Sequence, residues 1–353
     1  MTTSVVNPTG ASRLRPALAL VVLLLGVVGC DGGPETVRLQ GQIFGTGWSL
    51  VYEVTEGVPA ASEVEAHILA AFDVVNASMN TYDPSSLISR FNGLPAGETM
   101  EVDWDFAYVF TEARRLTALT GGAYDVTVSP LVDLWGFGPA GPSTPPSAAM
   151  IDETRGAVGL DLLEWEPQIR NLTKRDDRVS LEFSSIAKGY GVDLAADALD
   201  ELGLLNFMLE VGGELQLRGN SPRGDAWRIA VERPGLGQGG IQAAVSVTDT
   251  GVATSGDYRN FFEQDGQRYS HLIDPRSGYP IRHDLVSVTV VHPSTALADA
   301  WATGLCVLGS EAALDLAEQQ GLAVYLVRRE GDGFRASWTK RFETYLASGA
   351  ASG

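Results

Sequence analysis

Two cysteines and four histidines are all that this chain of 353 residues offers for thiol, zinc or imidazole chemistry. No Cys-x-x-Cys pair and no His-Glu-x-x-His run occurs, which excludes the common zinc and dithiol redox sites. Positive charge is also scarce: 25 Lys and Arg stand against 44 Asp and Glu, a net charge of −19. So acidic a surface repels phosphate backbones and anionic headgroups, and no nucleic-acid partner is expected. A phosphate-bearing ligand would have to be met by local positive charge or a bound cation. The apolar run "ALALVVLLLGVVG" at 17–29 falls short of the roughly 20 residues that a membrane span needs.

What is present suits an ordinary globular protein: 44% hydrophobic and 20% charged residues, enough for one large interwoven domain or two smaller ones. The N-terminus carries Arg13 and Arg15 and no acidic residue ahead of the apolar run, so residues 1–29 read as a signal peptide. The run ends in "VVGC", which resembles a bacterial lipobox and makes Cys30 the lipidated residue; a chance Gly-Cys is the alternative. Residues 30–39 then read as a tether and 40–345 as the folded part. With Cys30 lipidated, Cys306 in "GLCVLG" has no disulfide partner in the chain and reads as a small buried hydrophobe.

The coarse pattern mixes helices and hairpins and predicts an α+β fold. "GQIFGTGWSLVYEV" reads as the first strand. Val64, Ile68, Phe72, Val75 and Met79 recur at three- and four-residue steps and predict a helix over about 60–80. A second helix is expected over about 104–120, stopped by Gly121-Gly122, and "GPAGPSTPPS" at 138–147 is a loop. "SSIAKGYGVDLAADALDELG" predicts a helix capped by Ser184 or Ser185 and stopped at Gly203. "FMLEVGGELQLRG" and "WRIAVERP" alternate like strands, and "FFEQDGQRYSHLI" reads as a hairpin turning at Asp265-Gly266.

Several residues are candidates for chemistry. On a strand through Tyr269 to Ile273, alternation puts Tyr269, His271 and Ile273 on one face, just before the turn from Asp274-Pro275 to Gly278. His271 there is either a general base or a hydrogen-bonded structural residue. Asp299 and Thr303 are four apart in an apolar helix and suit a hard cation such as magnesium, unless Asp299 bonds neighbouring backbone. Lys188 near a helix N-terminus is electrostatically misplaced and points to a nearby anion, unless it faces solvent. The glycine pairs of "TGGAYD" and "EVGGEL" allow close approach of a planar or phosphorylated ligand but also make plain turns, and Tyr82 and Tyr124 are candidate ring contacts or packing residues.

In their order along the chain, "GTGW", "NTYDPSSLISRFN", "GGAYDVTVSPLVDLWGFGP", "SSIAKGYGVD", "VGGEL", "ATSGDYRNFFEQDGQRYSHLIDPRSGYP" and "ADAWATGLCVLG" resemble the ApbE-type FAD:protein FMN transferases. The resemblance implies antiparallel sheets packed with helices. It implies an enzyme that cuts FAD with magnesium, transfers FMN to a Thr or Ser hydroxyl of a target flavoprotein, and releases AMP. It matches Tyr82, Ala123, Tyr124, Asp125, Glu182, Lys188 and Ile273 to FAD contacts, Ser185, Asp299 and Thr303 to magnesium positions, and His271 to the base. Phe44 stands at a flavin-contact position where many relatives have methionine, and Ala302 where some have a second aspartate near the metal. Implied acceptors are subunits of Nqr- and Rnf-type membrane redox complexes.

A magnesium-dependent FAD pyrophosphatase yielding free FMN and AMP, and a non-catalytic flavin-binding lipoprotein, are the competing readings. The lipobox, with Asp31 behind it, implies a lipid-anchored protein on the periplasmic side of the inner membrane. Loss of Arg13 and Arg15 takes the net charge from −19 to −21, so lipid and not charge must hold it there. A Cys30→Ser variant should therefore move from the membrane pellet to the soluble fraction. Equal recovery of variant and parent in membranes would rule the anchor out.

Overall fold

The structure is a computed structural model that describes residues 34–138, 144–232, 240–256, 261–264 and 267–346. Its frame is an eight-stranded antiparallel sheet whose spatial order follows the chain. The strands are β1 (Thr36–Ile43), β2 (Thr46–Glu53), β3 (Phe207–Val211), β4 (Glu214–Arg218), β5 (Thr250–Gly256), β6 (Leu285–His292), β7 (Ala323–Glu330) and β8 (Gly333–Trp338). Among the described residues six α-helices enter between β2 and β3: α1 (Ala61–Met79), α2 (Leu87–Asn92), α3 (Trp104–Leu119), α4 (Ser129–Leu134), α5 (Ala148–Arg155) and α6 (Ser184–Glu201). A small sheet of Thr99–Glu101, Asn171–Lys174 and Leu163–Glu166 accompanies them. α7 (Thr295–Leu308) and α8 (Ser310–Gln319) lie between β6 and β7. The expected α+β class is the observed one.

Both faces of the sheet are covered, which is why β6 is buried from Leu285 to Val291 instead of alternating. Val288, Val290, Val324 and Leu326 face the core shared with α3, α6 and α7. Val291, Tyr325 and Val327 face a second core closed by the hairpin Trp227–Glu232/Ile241–Val247 and by Phe342. α1 presents the predicted stripe: Val64, Ile68, Phe72, Val75 and Met79 are all buried, each contributing about 1.5–3 kcal/mol of burial free energy.

Four local readings need correction. The first strand is a hairpin, because Phe44 (φ 50°) and Gly45 (φ 74°) turn the chain back. β1 already begins at Thr36, so the end of the segment read as tether is strand. Neither Ser184 nor Ser185 is the N-cap of α6; Phe183 holds that position. The carboxylate of Glu182 does the capping work, accepting the Ser184 N–H at 2.8 Å and the Ser184 hydroxyl. Finally, the strand before His271 ends at Ser270, and His271 sits in a bend before the short strand Ile273–Asp274. Strand alternation therefore does not align His271 with Tyr269 and Ile273. The predicted turn at Asp265-Gly266, the middle of the 138–147 loop, and the signal peptide with Cys30 lie outside the described residues.

The crossing of α6 and α7 sets the geometry of everything near it. Asp193 on α6 accepts the N–H groups of Thr295 (2.7 Å) and Ala296 (3.0 Å) and the hydroxyl of Ser294 (2.7 Å). Ser294 in turn accepts the Leu297 N–H, so the first turn of α7 has its donors satisfied. One turn earlier on α6, Gly189 lies so close to α7 that an added Cβ would stand 2.5 Å from the Thr295 carbonyl oxygen. Gly189→Ala should therefore lower the unfolding free energy by about 1–3 kcal/mol, and Asp193→Ala by about 0.5–2 kcal/mol, in urea titrations. A Gly189→Ala midpoint equal to the parent's would mean that the crossing is not tight.

Candidate active site

At this crossing the side chains of three elements meet. The Lys188 ammonium, from the second turn of α6, donates to Glu214 Oε1 at 3.1 Å and to Asp299 Oδ2 at 3.4 Å. Glu214 opens β4 directly after the Gly212-Gly213 turn, and Asp299 projects from the second turn of α7. The two carboxylates are 4% and 5% exposed, and the Gly189 N–H adds a long hydrogen bond to Asp299 at 3.4 Å. Glu214 Oε2 is buried without a hydrogen-bond partner. The anion expected near Lys188 is thus, in the first place, a pair of the protein's own carboxylates.

Electrostatics follow from burial and pairing. Burial works to lower the pKa of Lys188, but the charges and hydrogen bonds of Asp299 and Glu214 outweigh it and hold the lysine above its ordinary value. Burial raises Glu214, with Lys188 opposing and Asp299 adding to the rise, and it likewise raises Asp299 against the pull of Lys188. One ammonium serves two buried carboxylates, so the cluster carries excess negative charge whenever both are ionised.

The "GGAYD" loop lies alongside. Gly121 and Gly122 have φ of 60° and 81°, which lets the chain leave α3 and tuck Ala123 and Tyr124 into the core. The Glu182 N–H donates to the Val126 carbonyl at 2.8 Å, bringing this loop to the start of α6, where the Ser185 hydroxyl donates to the Tyr124 hydroxyl oxygen at 3.1 Å. Burial pushes the Tyr124 phenol up, with Asp299, Glu182 and Asp125 adding to the rise, and it raises Glu182 despite the Ser184 hydrogen bonds and Lys188. Asp125 spends one oxygen on the N–H and hydroxyl of Thr127, at 2.8 and 2.6 Å.

The other predicted residues are placed by contacts of their own. Phe44, at the β1–β2 turn, packs its ring on Phe72, 5.5 Å between centroids, and against Gly191, where a Cβ would stand 2.9 Å from it. Tyr82 is 75% exposed and borders a shallow pocket with Thr81, Pro84, Ser89 and Asn92. His271 stands edge-on to Phe137, ring centroids 6.4 Å apart, and Ile273 is buried against α4 and α5. The turn after them reaches the GGAYD loop, since the Arg276 stem lies 3.6 Å from where a Gly122 Cβ would be. Thr303 is half-buried one turn along α7 from Asp299, while Ala302 is fully buried in apolar packing and offers no donor. A separate groove of about 900 Å³ beside His283, Ser310, Arg328 and Arg335 contains none of these residues.

Magnesium fits this set of donors. Asp299 and the hydroxyls of Ser185 and Thr303 are hard oxygen donors, and Asp299 belongs to a cluster of excess negative charge in which Glu214 Oε2 is buried without a hydrogen-bond partner. Among the described residues no three acidic, histidine or cysteine side chains form a metal cluster. Magnesium held through one or two carboxylates, waters and substrate phosphate needs no such cluster. Glu214 and Asp193 were missed as site residues; their sequence signals were an acid directly after a Gly-Gly turn and an acid on the Gly-spaced face of α6.

Known proteins share this fold. Residues 44–326 match the ApbE family. An FAD:protein FMN transferase of Haemophilus influenzae is 39% identical over 94% of this chain and 97% of its own, and one of Vibrio cholerae is 40% identical over 95% and 100%. The solved flavin transferase ApbE from Vibrio cholerae superposes with a TM-score of 0.83 at 39% identity, covering 89% of this chain and 100% of that one. The apo flavinyl transferase ApbE of Pseudomonas stutzeri gives 0.82 at 38% identity, over 90% and 99%.

The cluster predicts a large effect from its one cation. Lys188→Met leaves two buried carboxylates unpaired and should lower stability by about 3–5 kcal/mol. Asp299 and Glu214 already hold protons more tightly than free carboxyls, and without Lys188 they would hold them tighter still. The folded state would then keep protons that the unfolded state has released, so the deficit should be greater at pH 8 than at pH 5. Urea titrations at both pH values check this; a deficit that shrinks with rising pH would contradict the pairing.

Proposed function

The chain belongs to the ApbE family and is an FAD:protein FMN transferase, and from that premise we propose that it uses magnesium to move FMN from FAD onto a threonine or serine hydroxyl, releasing AMP. The observation that carries the finer reading is Lys188, a lysine held charged between two buried carboxylates beside the first turn of α6. This supports the reading: an ammonium suited to phosphate and carboxylate oxygens suited to a cation stand side by side in a chain of net charge −19.

In this reading the acceptor hydroxyl oxygen forms a bond to the FMN phosphorus while the pyrophosphate P–O bond breaks, and the electron pair of that bond leaves with AMP. The hydroxyl proton goes to the His271 imidazole, a general-base contribution of about 10²–10⁴-fold. Lys188 donates to the phosphate oxygens. Asp299, Thr303 and Ser185 would hold magnesium, with Ser185 kept in place by Tyr124. Magnesium, when bound, neutralises diphosphate charge and offsets the acidic field of the protein. Phe44, Tyr82, Ala123, Tyr124, Asp125, Glu182 and Ile273 receive FAD, and the exposed ring of Tyr82 supplies a face for stacking.

The acceptors in this proposal are flavoprotein subunits of Nqr- or Rnf-type complexes. Lipid at Cys30 would hold the enzyme beside them on the periplasmic side of the inner membrane. Among the described residues no helix is long and apolar enough to cross a membrane.

Incubation with FAD, magnesium and a peptide bearing the acceptor threonine separates the readings, as flavinylated peptide, free FMN with AMP, or unchanged FAD. Transfer is the expected outcome, abolished by EDTA; free FMN alone would make the protein a pyrophosphatase. His271→Ala should bind FAD like the parent and lose transfer by about 10²–10⁴-fold. Asp299→Asn should cost more than Thr303→Val, and raised magnesium should partly rescue both. Full activity in excess EDTA would remove magnesium from the scheme.

A further inference from the structure

Glu214 has a place in the site that the proposed chemistry leaves unexplained. It is 4% exposed, it comes from a different element from either of its neighbours, and it makes the shorter of the two ion pairs of Lys188, 3.1 Å against 3.4 Å for Asp299. Its direction is fixed by the sheet. The Gly212-Gly213 turn sets Val211 opposite Glu214, and alternation along β4 then points Glu214 and Gln216 to one side. Gln216 accepts the Thr295 hydroxyl at 3.0 Å and donates to the Pro293 carbonyl at 3.2 Å, so the same strand face holds the start of α7.

We infer that Glu214 is a positioning residue for the transfer site, drawing Lys188 toward itself so that Asp299, whose contact with the ammonium is the longer one, stays open to a divalent cation while the ammonium stays charged beside the phosphates. The inference rests on the transferase reading above. Its physical basis is competition: a lysine whose sole anionic partner was Asp299 would occupy the carboxylate that a cation needs, and like charges would repel at that oxygen. A second carboxylate that shares the ammonium relieves this. Such partners of metal-binding residues typically change metal affinity by about 10–100-fold when removed.

The test reads equilibrium binding. Flavin fluorescence of bound FAD is followed while magnesium is titrated, and Mn²⁺ binding is measured in parallel by electron paramagnetic resonance. Near-ultraviolet circular dichroism checks that each variant is folded. Glu214→Gln should raise the metal midpoint about tenfold or more, with Glu214→Asp in between, and turnover should recover in part at high magnesium. In a Lys188→Met background, Glu214→Gln should change the midpoint little, because the competitor is gone. The double variant has one unpaired buried carboxylate fewer than Lys188→Met, which favours its folding. An unchanged midpoint for Glu214→Gln, or an equal loss in both backgrounds as a direct metal ligand would give, overturns the inference. If Lys188→Met does not fold, Glu214→Asp decides: a midpoint no better than that of Glu214→Gln overturns it. Parent protein that binds FAD without metal dependence would instead defeat the magnesium reading itself, a result distinct from a flat Glu214 response in a metal-dependent parent.

Discussion

The docking of α7 onto α6 is the constraint on which the site depends. A helix N-terminus buried in a protein must find partners for its free N–H groups, and here Asp193 and Ser294 supply them. The carboxylate thereby fixes both where α7 starts and how it is rotated about its axis. Gly189 lets the helices approach until no side chain fits between them. With start and rotation set, Asp299, one turn along, has to face Lys188. Loosening the crossing would separate a buried carboxylate from its cation, so packing and site electrostatics are not independent here.

The rest of the site is arranged around the charge imbalance that this crossing creates. One ammonium between two buried carboxylates is incomplete on electrostatic grounds, and the unpartnered oxygen of Glu214 marks the same deficit in hydrogen-bond terms. A structural ion pair gains little from such an arrangement. A site that must accept a cation together with a polyanionic substrate does gain, because each newcomer supplies what the other lacks. In the proposed reading the net acidity of the chain acts in the same direction, since an acidic field disfavours a polyanion that comes without a cation.

Much of this was legible along the chain wherever the signal was local. The apolar stripe of α1, the stop of α3 at Gly121-Gly122 and the strand character around "EVGGEL" are short-range patterns, and the folded chain keeps them. The reading failed where a local pattern was overruled by a neighbour. "GQIFGTGW" looks like continuous strand until the positive φ of Phe44 and Gly45 folds it back. The serines at the head of α6 look like caps until Glu182 takes the role. His271 looks like a strand residue until the chain bends at it.

From the sequence alone came the family resemblance, the α+β class and the acidic charge that calls for a cation, because these are properties of composition and of ordered motifs. The same holds for Lys188 as a residue in need of an anion, since helix position and charge are both local. Which anion it meets was decided only by the tertiary structure. Glu214 and Asp299 lie 26 and 111 residues beyond Lys188 in the chain. No periodicity links them; they meet because Gly189 lets α7 lie against α6 and the Gly212-Gly213 turn aims β4 at the crossing.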